Sequence, residues 1–170
     1  MPIFLRRVAV GAALLFTTLQ CEEGCKDGDI CECASGNECY LGCEDGGCDQ
    51  YCHNMQRCGG VCEDGCNFRC HSMNECSSAC GDNCDMECSS VNSCAARCDV
   101  SCRYRCSDAD RCGVEVGPGS EVSCDNVSSC EVECNGPCRV TCRGTGRCEV
   151  RCAGGEQRVS CVEGFACGAC

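Results

Sequence analysis

Residues 58–106 read CGGVCEDGCNFRCHSMNECSSACGDNCDMECSSVNSCAARCDVSCRYRC. Cysteine falls there at Cys58, Cys62, Cys66, Cys70, then Cys76, Cys80, Cys84, Cys88, then Cys94, Cys98, Cys102, Cys106, a pattern that repeats every 18 residues. The next unit keeps Cys112 and Cys124 but carries Val116 and Ser120 at its inner positions, and the phase returns unshifted at Cys130, Cys134, Cys138 and Cys142. A defect that preserves phase marks the 18-residue unit as structural. Towards the N-terminus, Cys21, Cys25, Asp29 and Cys33 form one unit with an extra Cys31, and Cys39, Cys43, Cys48 and Cys52 form another with one inserted residue. Beyond Cys148 and Cys152 the spacing drifts through Cys161, Cys167 and Cys170. The count is about eight units and a stub.

The four cysteines of a unit are designated a, b, c and d. The c-to-d stretches CNFRC, CDMEC, CRYRC and CRVTC place cysteine, an apolar residue and cysteine at alternate positions, which is strand periodicity with all three on one side. Between b and c, CEDGC, CGDNC and CNGPC supply turn residues. The five residues from d to the next a, as in HSMNE and SSVNS, read as a corner with one apolar residue in its middle. Two short strands, a turn and a corner cannot bury their own inner face, so successive units must stack. The fold expected is small, disulfide-rich and all-β: a β-solenoid of about eight 18-residue coils, four cysteines per coil, with little hydrophobic core. An α-helical reading of C-x3-C is opposed by the Gly, Ser, Asn, Asp and Val between the cysteines, which are weak helix formers.

Composition sets what holds such a chain together. Residues 21–170 contain 31 Cys but only 16 Leu, Ile, Val or Phe, about half the ~20% below which a chain is expected to stay unfolded. Crosslinks must replace the core, and export into an oxidising compartment follows. Valine at Val114, Val116 and Val122 in the cysteine-poor unit is apolar volume filling the hole. Loss of b and c together suggests that these are partners, giving Cys62–Cys66, Cys80–Cys84, Cys98–Cys102 and Cys134–Cys138. By the same reasoning a and d pair within a unit, as Cys58–Cys70, Cys76–Cys88, Cys94–Cys106, Cys112–Cys124 and Cys130–Cys142.

Residues 1–20 carry Arg6 and Arg7 ahead of an apolar run from Val8 to Leu19, short for a membrane span, and read as a signal peptide before a single cysteine-rich repeat domain at 21–170. This N-terminus resembles that of bacterial lipoproteins, whose first mature residue is a lipid-bearing cysteine; the resemblance implies lipid attachment at Cys21 and a cell-surface or outer-envelope location. The residues before it, Thr18, Leu19 and Gln20, depart from the usual pattern. An ordinary secretory signal, with Cys21 as one more repeat cysteine, stands beside that reading. The design, though not the motif, is similar to the disulfide-braced β-solenoids of insect antifreeze proteins.

Charge and motif narrow the function classes. Residues 21–90 hold 15 Asp or Glu against Lys26, Arg57 and Arg69, which argues against nucleic acid and against direct contact with anionic lipid headgroups. No catalytic arrangement emerges, and no cofactor is implied. His53, Met55, His71 and Met73 form two H-x-M pairs one repeat apart, a donor set that would suit copper if the coils stack; the plainer reading is a polar corner with a methionine contact. Acidic turns at Glu63–Asp64, Asp82 and Asp27–Asp29 could hold calcium loosely, and Arg139, Arg143, Arg147 and Arg151 could form a basic stripe. Asn126-Val127-Ser128 is a glycan acceptor in a eukaryotic secretory pathway. Two function classes remain: a non-catalytic structural, adhesive or binding protein at the cell surface with an unidentified macromolecular or matrix partner, or a metallothionein-like thiolate metal binder.

Overall fold

The computed structural model describes residues 25–153 and 155–170. The described residues form strands and turns, with no helix. Four short strands open the chain: β1 (Ile30–Cys33), β2 (Gly36–Cys43), β3 (Asp49–His53) and β4 (Met55–Cys62). Four long ones follow: β5 (Asn67–Cys80), β6 (Asp85–Cys98), β7 (Arg103–Val116) and β8 (Ser120–Cys134). The C-terminal part contributes β9 (Cys138–Arg143), β10 (Arg147–Cys152), β11 (Arg158–Cys161) and β12 (Gly164–Cys167).

From β3 to β8 each coil lies on the next in parallel register at +18, so that Cys70 pairs with Cys88, Cys88 with Cys106 and Cys106 with Cys124. The extra residue near the N-terminus is absorbed as a +19 step, Cys33 to Cys52 and Cys39 to Cys58. The result is a β-solenoid of about 7 turns rather than the eight expected. The C-terminal unit does not coil. Its cysteine spacing breaks after Cys152, and β12 turns back antiparallel onto β9, with β11 antiparallel outside it. At about 4.8 Å per coil, seven coils stack to about 34 Å. Each coil spans about 25 Å, since half of its 18 residues run at about 3.3 Å each apart from the turns. The molecule is therefore a short slab rather than a long rod.

Long strands run through the corner because one residue there takes the left-handed conformation. Asn54, Ser72, Ser90, Asp108 and Asn126 all have φ between 52° and 57°, and Gly144 continues the series at 60°. Short polar side chains and glycine tolerate this region best, which explains why Asn, Ser, Asp and Gly recur two residues after each d cysteine. The bend turns the following apolar residue inward: Met55, Met73, Val91, Ala109 and Val127 are all buried at the tip of the coil.

Inside, the two strands of a coil face each other through two columns of complementary size. One carries Gln50, Phe68, Met86, Tyr104, Val122 and Val140; the other carries Gly60, Ser78, Ala96, Val114, Val132 and Val150. A bulky residue faces a small one, and valine faces valine, which keeps the packed volume constant along the axis. The fit at Gly60 is tight, since a Cβ there would lie 2.3 Å from the Phe68 ring and 2.9 Å from Gln50 Oε1. Tyr104 is enclosed so completely that its hydroxyl has no partner.

All thirty described cysteines pair, in fifteen bridges. Across the turn they run Cys43–Cys48, Cys62–Cys66, Cys80–Cys84, Cys98–Cys102 and Cys134–Cys138. Where the ladder is interrupted, Val116 fills the core and Ser120 Oγ accepts a hydrogen bond from the Cys102 backbone N–H at 3.1 Å. The expected a-to-d bridges are corrected. Cys58–Cys70, Cys76–Cys88, Cys94–Cys106, Cys112–Cys124 and Cys130–Cys142 are replaced by d-to-next-a bridges across the corner. These are Cys52–Cys58, Cys70–Cys76, Cys88–Cys94, Cys106–Cys112, Cys124–Cys130 and Cys142–Cys148. Their Cα atoms lie 6.2–6.5 Å apart.

The reason is the rise of the coil. The a and d columns do face each other, but six residues across the corner climb about 1.6 Å of a 4.8 Å step, whereas twelve residues around the turn climb about 3.2 Å. The corner partner is nearer the same level. With Cys33–Cys39 at the N-terminal end, this corner ladder runs unbroken through seven rungs. Cys25–Cys31, Cys152–Cys167 and Cys161–Cys170 close the two ends. Cys21 lies outside the described residues.

Candidate functional site

The outward residues form columns in which position i meets i+18 on the next coil, and the sequence arranges charge along them. Arg57 bridges Glu38 at 2.7 Å and Glu75 at 3.0 Å on either side. Arg103 lies between Asp85 at 3.6 Å and Glu121 at 3.8 Å, and Arg97 is 3.6 Å from Glu115. Where two aspartates flank a position, asparagine separates them: Asn67 stands between Asp49 and Asp85 and donates to Asp49 at 2.6 Å. Each exposed pair stabilises little, up to about 1 kcal/mol. Together they tie each coil to its neighbours, directly as in Arg103–Asp85 and diagonally as in Arg105–Asp85 at 3.1 Å.

The acidic turns have a structural use. Asp64 Oδ1 accepts from the Asp82 backbone N–H at 2.7 Å, and Asp82 Oδ1 accepts from Val100 N–H at 2.9 Å. Asp29 accepts from Lys26 N–H at 3.0 Å. These oxygens cap backbone donors and leave less free for a cation. A notch of about 280 Å³ is lined by Glu115, Glu131, Glu133 and Glu149, with Gly113 and Arg151 beside them. Hydrogen bonds from Arg151 and Arg147 hold the Glu149 carboxyl below the usual carboxylate range.

The four residues considered for copper are brought into neighbouring coils but not onto one side. His53 and His71 are register partners. His53 Nε2 donates to Glu32 at 2.7 Å while its Nδ1 accepts from Asn54 at 3.0 Å, and His71 Nδ1 contacts Ser89 Oγ at 2.9 Å. Met55 and Met73 lie buried in the corner column, on the other side of the coil wall. Sulfur atoms do cluster: those of Cys33, Cys52 and Cys58 lie within 4.8 Å of one another, as do those of Cys70, Cys76 and Cys88. All of them are spent in disulfides, which offer a cation no thiolate charge, so the thiolate metal-binding reading is not favoured.

Nor do the four arginines form a stripe. They occupy four different columns: Arg139 donates to the Cys170 carbonyl at 3.1 Å, Arg143 pairs with Glu163, and Arg147 and Arg151 both engage Glu149. Asn126 is exposed at a left-handed corner, with its amide 3.3 Å from Asp108. Sequence reasoning missed the left-handed column and the ion-pair columns, although both follow from aligning the units at 18 residues and reading down the alignment.

No family model matches the chain, and neither a curated protein nor a solved structure does.

Proposed function

We propose that the chain is an exported, non-catalytic structural protein whose covalently braced solenoid presents variable polar columns to a macromolecular or matrix partner at the cell surface. The observation that carries this reading is the pairing of every described cysteine, with a seven-rung corner ladder along the whole slab. Many disulfides are consistent with an oxidising extracellular environment, and few other compartments would keep such a chain folded. The interior repeats while the outer columns vary from coil to coil, a division that suits a scaffold. Lipid attachment at Cys21 belongs to the same proposal. Among the described residues no helix is long and apolar enough to cross a membrane.

The test is the intact mass of the native exported protein with and without reduction, each followed by alkylation. A mature chain starting at Cys21, with about 30 cysteines alkylated only after reduction, supports the scaffold, and an added diacylglycerol mass supports the anchor. Extensive alkylation without reduction, or metal carried by the native mass, would overturn it.

A further inference from the structure

Among the described residues, every inner coil of the solenoid has a hydrogen-bonded neighbour on both sides, whereas the end strands do not. β1 pairs only with β3, and β11 only with β12. Free edges of this kind are templates for another strand. We propose that a second copy of this chain occupies them, with β11 of one molecule pairing in parallel with β1 of the next so that the slabs stack end to end.

Strand direction permits it. β12 runs antiparallel to β9 and β11 antiparallel to β12, so β11 regains the direction of β9 and of every coil strand before it. A parallel β1 added there continues the sheet. Both strands are four residues long.

Register points to the same contact. Val159 pairs with Ala166, which pairs with Arg139. Followed back through Glu121, Arg103, Asp85, Asn67 and Asp49, the Arg139 column ends at Ile30. Val159 and Ile30 are thus the two ends of one column, and both are exposed apolar side chains, at 37% and 71%. Stacking two copies in register sets one against the other. Of the six exposed large apolar side chains among the described residues, Ile30 and Val159 lie on the two edge strands, and the fully exposed Val162 lies in the turn that follows β11. Isolated apolar residues are ordinary on a surface, but concentration at the two ends of a column is what an interface requires.

Charge orients the contact. Residues 25–62 carry seven carboxylates against Lys26 and Arg57, whereas residues 139–170 carry five arginines against Glu149, Glu156 and Glu163. Like ends repel and unlike ends attract, so the association is head to tail, the heterologous arrangement that leads to open filaments. The inference rests on the solenoid and not on the surface role proposed above. Its failure would leave that role standing, while free thiols in the mass experiment would remove the scaffold beneath both.

The experiment uses the oxidised mature protein and two variants, Ile30→Lys and Val159→Lys, at positions exposed in the single molecule. Circular dichroism and thiol content matching the parent confirm that each is folded. Sedimentation velocity across micromolar to millimolar concentration is expected to show parent protein growing into linear oligomers, with growth promoted at low salt. Each variant alone stays monomeric, because one of its ends is blocked. Mixing them gives a dimer and nothing larger, since the intact β1 edge of the Val159→Lys chain meets the intact β11 edge of the Ile30→Lys chain. A parent that remains monomeric throughout the range, or oligomers that persist in both variants, would overturn the proposal.

Discussion

Removal of one rung of the corner ladder tests the pairing and its energetics together. In Cys88→Ala/Cys94→Ala the bridge lost closes seven residues. Loop-closure entropy for that length is worth about 2.4 kcal/mol. Cys88 and Cys94 are both buried, as is Val91 between them in the corner. Taking each sulfur as a methylene-sized apolar group adds about 0.8 kcal/mol apiece. The expected loss is thus about 4 kcal/mol, felt locally, because the coils on either side keep their own bridges. Hydrogen exchange should accelerate over residues 85–98 and change little beyond the neighbouring coils. The thiol count is the decisive reading. With Cys70–Cys76 and Cys106–Cys112 intact, alkylation in denaturant without reductant finds no thiol beyond those of the parent. Had a and d paired within units, the same variant would strand Cys76 and Cys106. Two new alkylated cysteines, or exchange unchanged over 85–98, would refute the reasoning.

Three further outcomes follow from single contacts. The Tyr104 hydroxyl is buried without a partner, so Tyr104→Phe should stabilise by about 1 kcal/mol, the relief of an unsatisfied polar group. Burial also pushes this phenol well above its ordinary value. Its contribution to stability is therefore intact below the ordinary phenol range of about 10 and declines as pH rises beyond it; denaturation midpoints of Tyr104→Phe should fall less steeply there, and an equal fall would contradict the burial. Val116→Cys/Ser120→Cys should form the missing turn bridge, seen as a mass 2 Da lower than two free thiols require (about 1 Da per hydrogen lost), because its neighbours Cys98–Cys102 and Cys134–Cys138 span Cα distances of 6.3 and 6.0 Å. Persistent free thiols would show that this turn has a different shape. The Glu149 carboxyl, held down by Arg151 and Arg147, should titrate below the usual carboxylate range by NMR and move up in Arg151→Gln. Its stabilising contribution is present above the ordinary carboxylate range and lost as pH falls through the depressed midpoint, and a midpoint unmoved by the substitution would count against the pairing.

Much of the architecture was legible because inward positions repeat with two periods at once. Alternation within a coil placed Phe68, Met86 and Tyr104 beside their cysteines, and the 18-residue period placed them above one another. The unshifted phase past Val116 and Ser120 pointed to stacked units. Two things were hidden. The choice of partner for a d cysteine depends on a difference of about 1.6 Å in rise, which no pattern of residue types encodes. In the C-terminal unit the cysteine phase is lost, with Glu156 and Ser160 where cysteines would fall, and the drift from Cys152 to Cys161 was too irregular to show that the chain reverses onto β9. Surface chemistry was read too locally. Arg139, Arg143, Arg147 and Arg151 look like a stripe along the chain, but a solenoid makes neighbours of residues 18 apart, not four.

The two ladders are not equivalent, and the chain shows which one the fold needs more. The turn between b and c carries its own backbone ladder: Gly65 N–H to Asp82, Asn83 to Val100, Ser101 to Pro118 and Gly119 to Pro137, at 2.7–2.9 Å. The corner ladder is thinner. Between β6 and β7 pairing passes from Ser89–Ser107 directly to Ser93–Arg111, with the left-handed residues Ser90 and Asp108 inside the gap, and the flanking corners keep one central pair each, Met73–Val91 and Ala109–Val127. Loop entropy barely separates the two bridges, about 2.1 kcal/mol for five residues against about 2.4 for seven, so the difference must come from what else holds each end. A turn stitched by hydrogen bonds tolerates loss of its bridge, as the natural Val116 and Ser120 pair does. Cys80→Ala/Cys84→Ala should therefore cost less stability than Cys88→Ala/Cys94→Ala and leave exchange at the Asn83 and Ser101 amides slow. A turn deletion as damaging as the corner deletion would mean that the backbone ladder contributes little, and that the gap at Val116 and Ser120 survives only through the valine and serine that fill it.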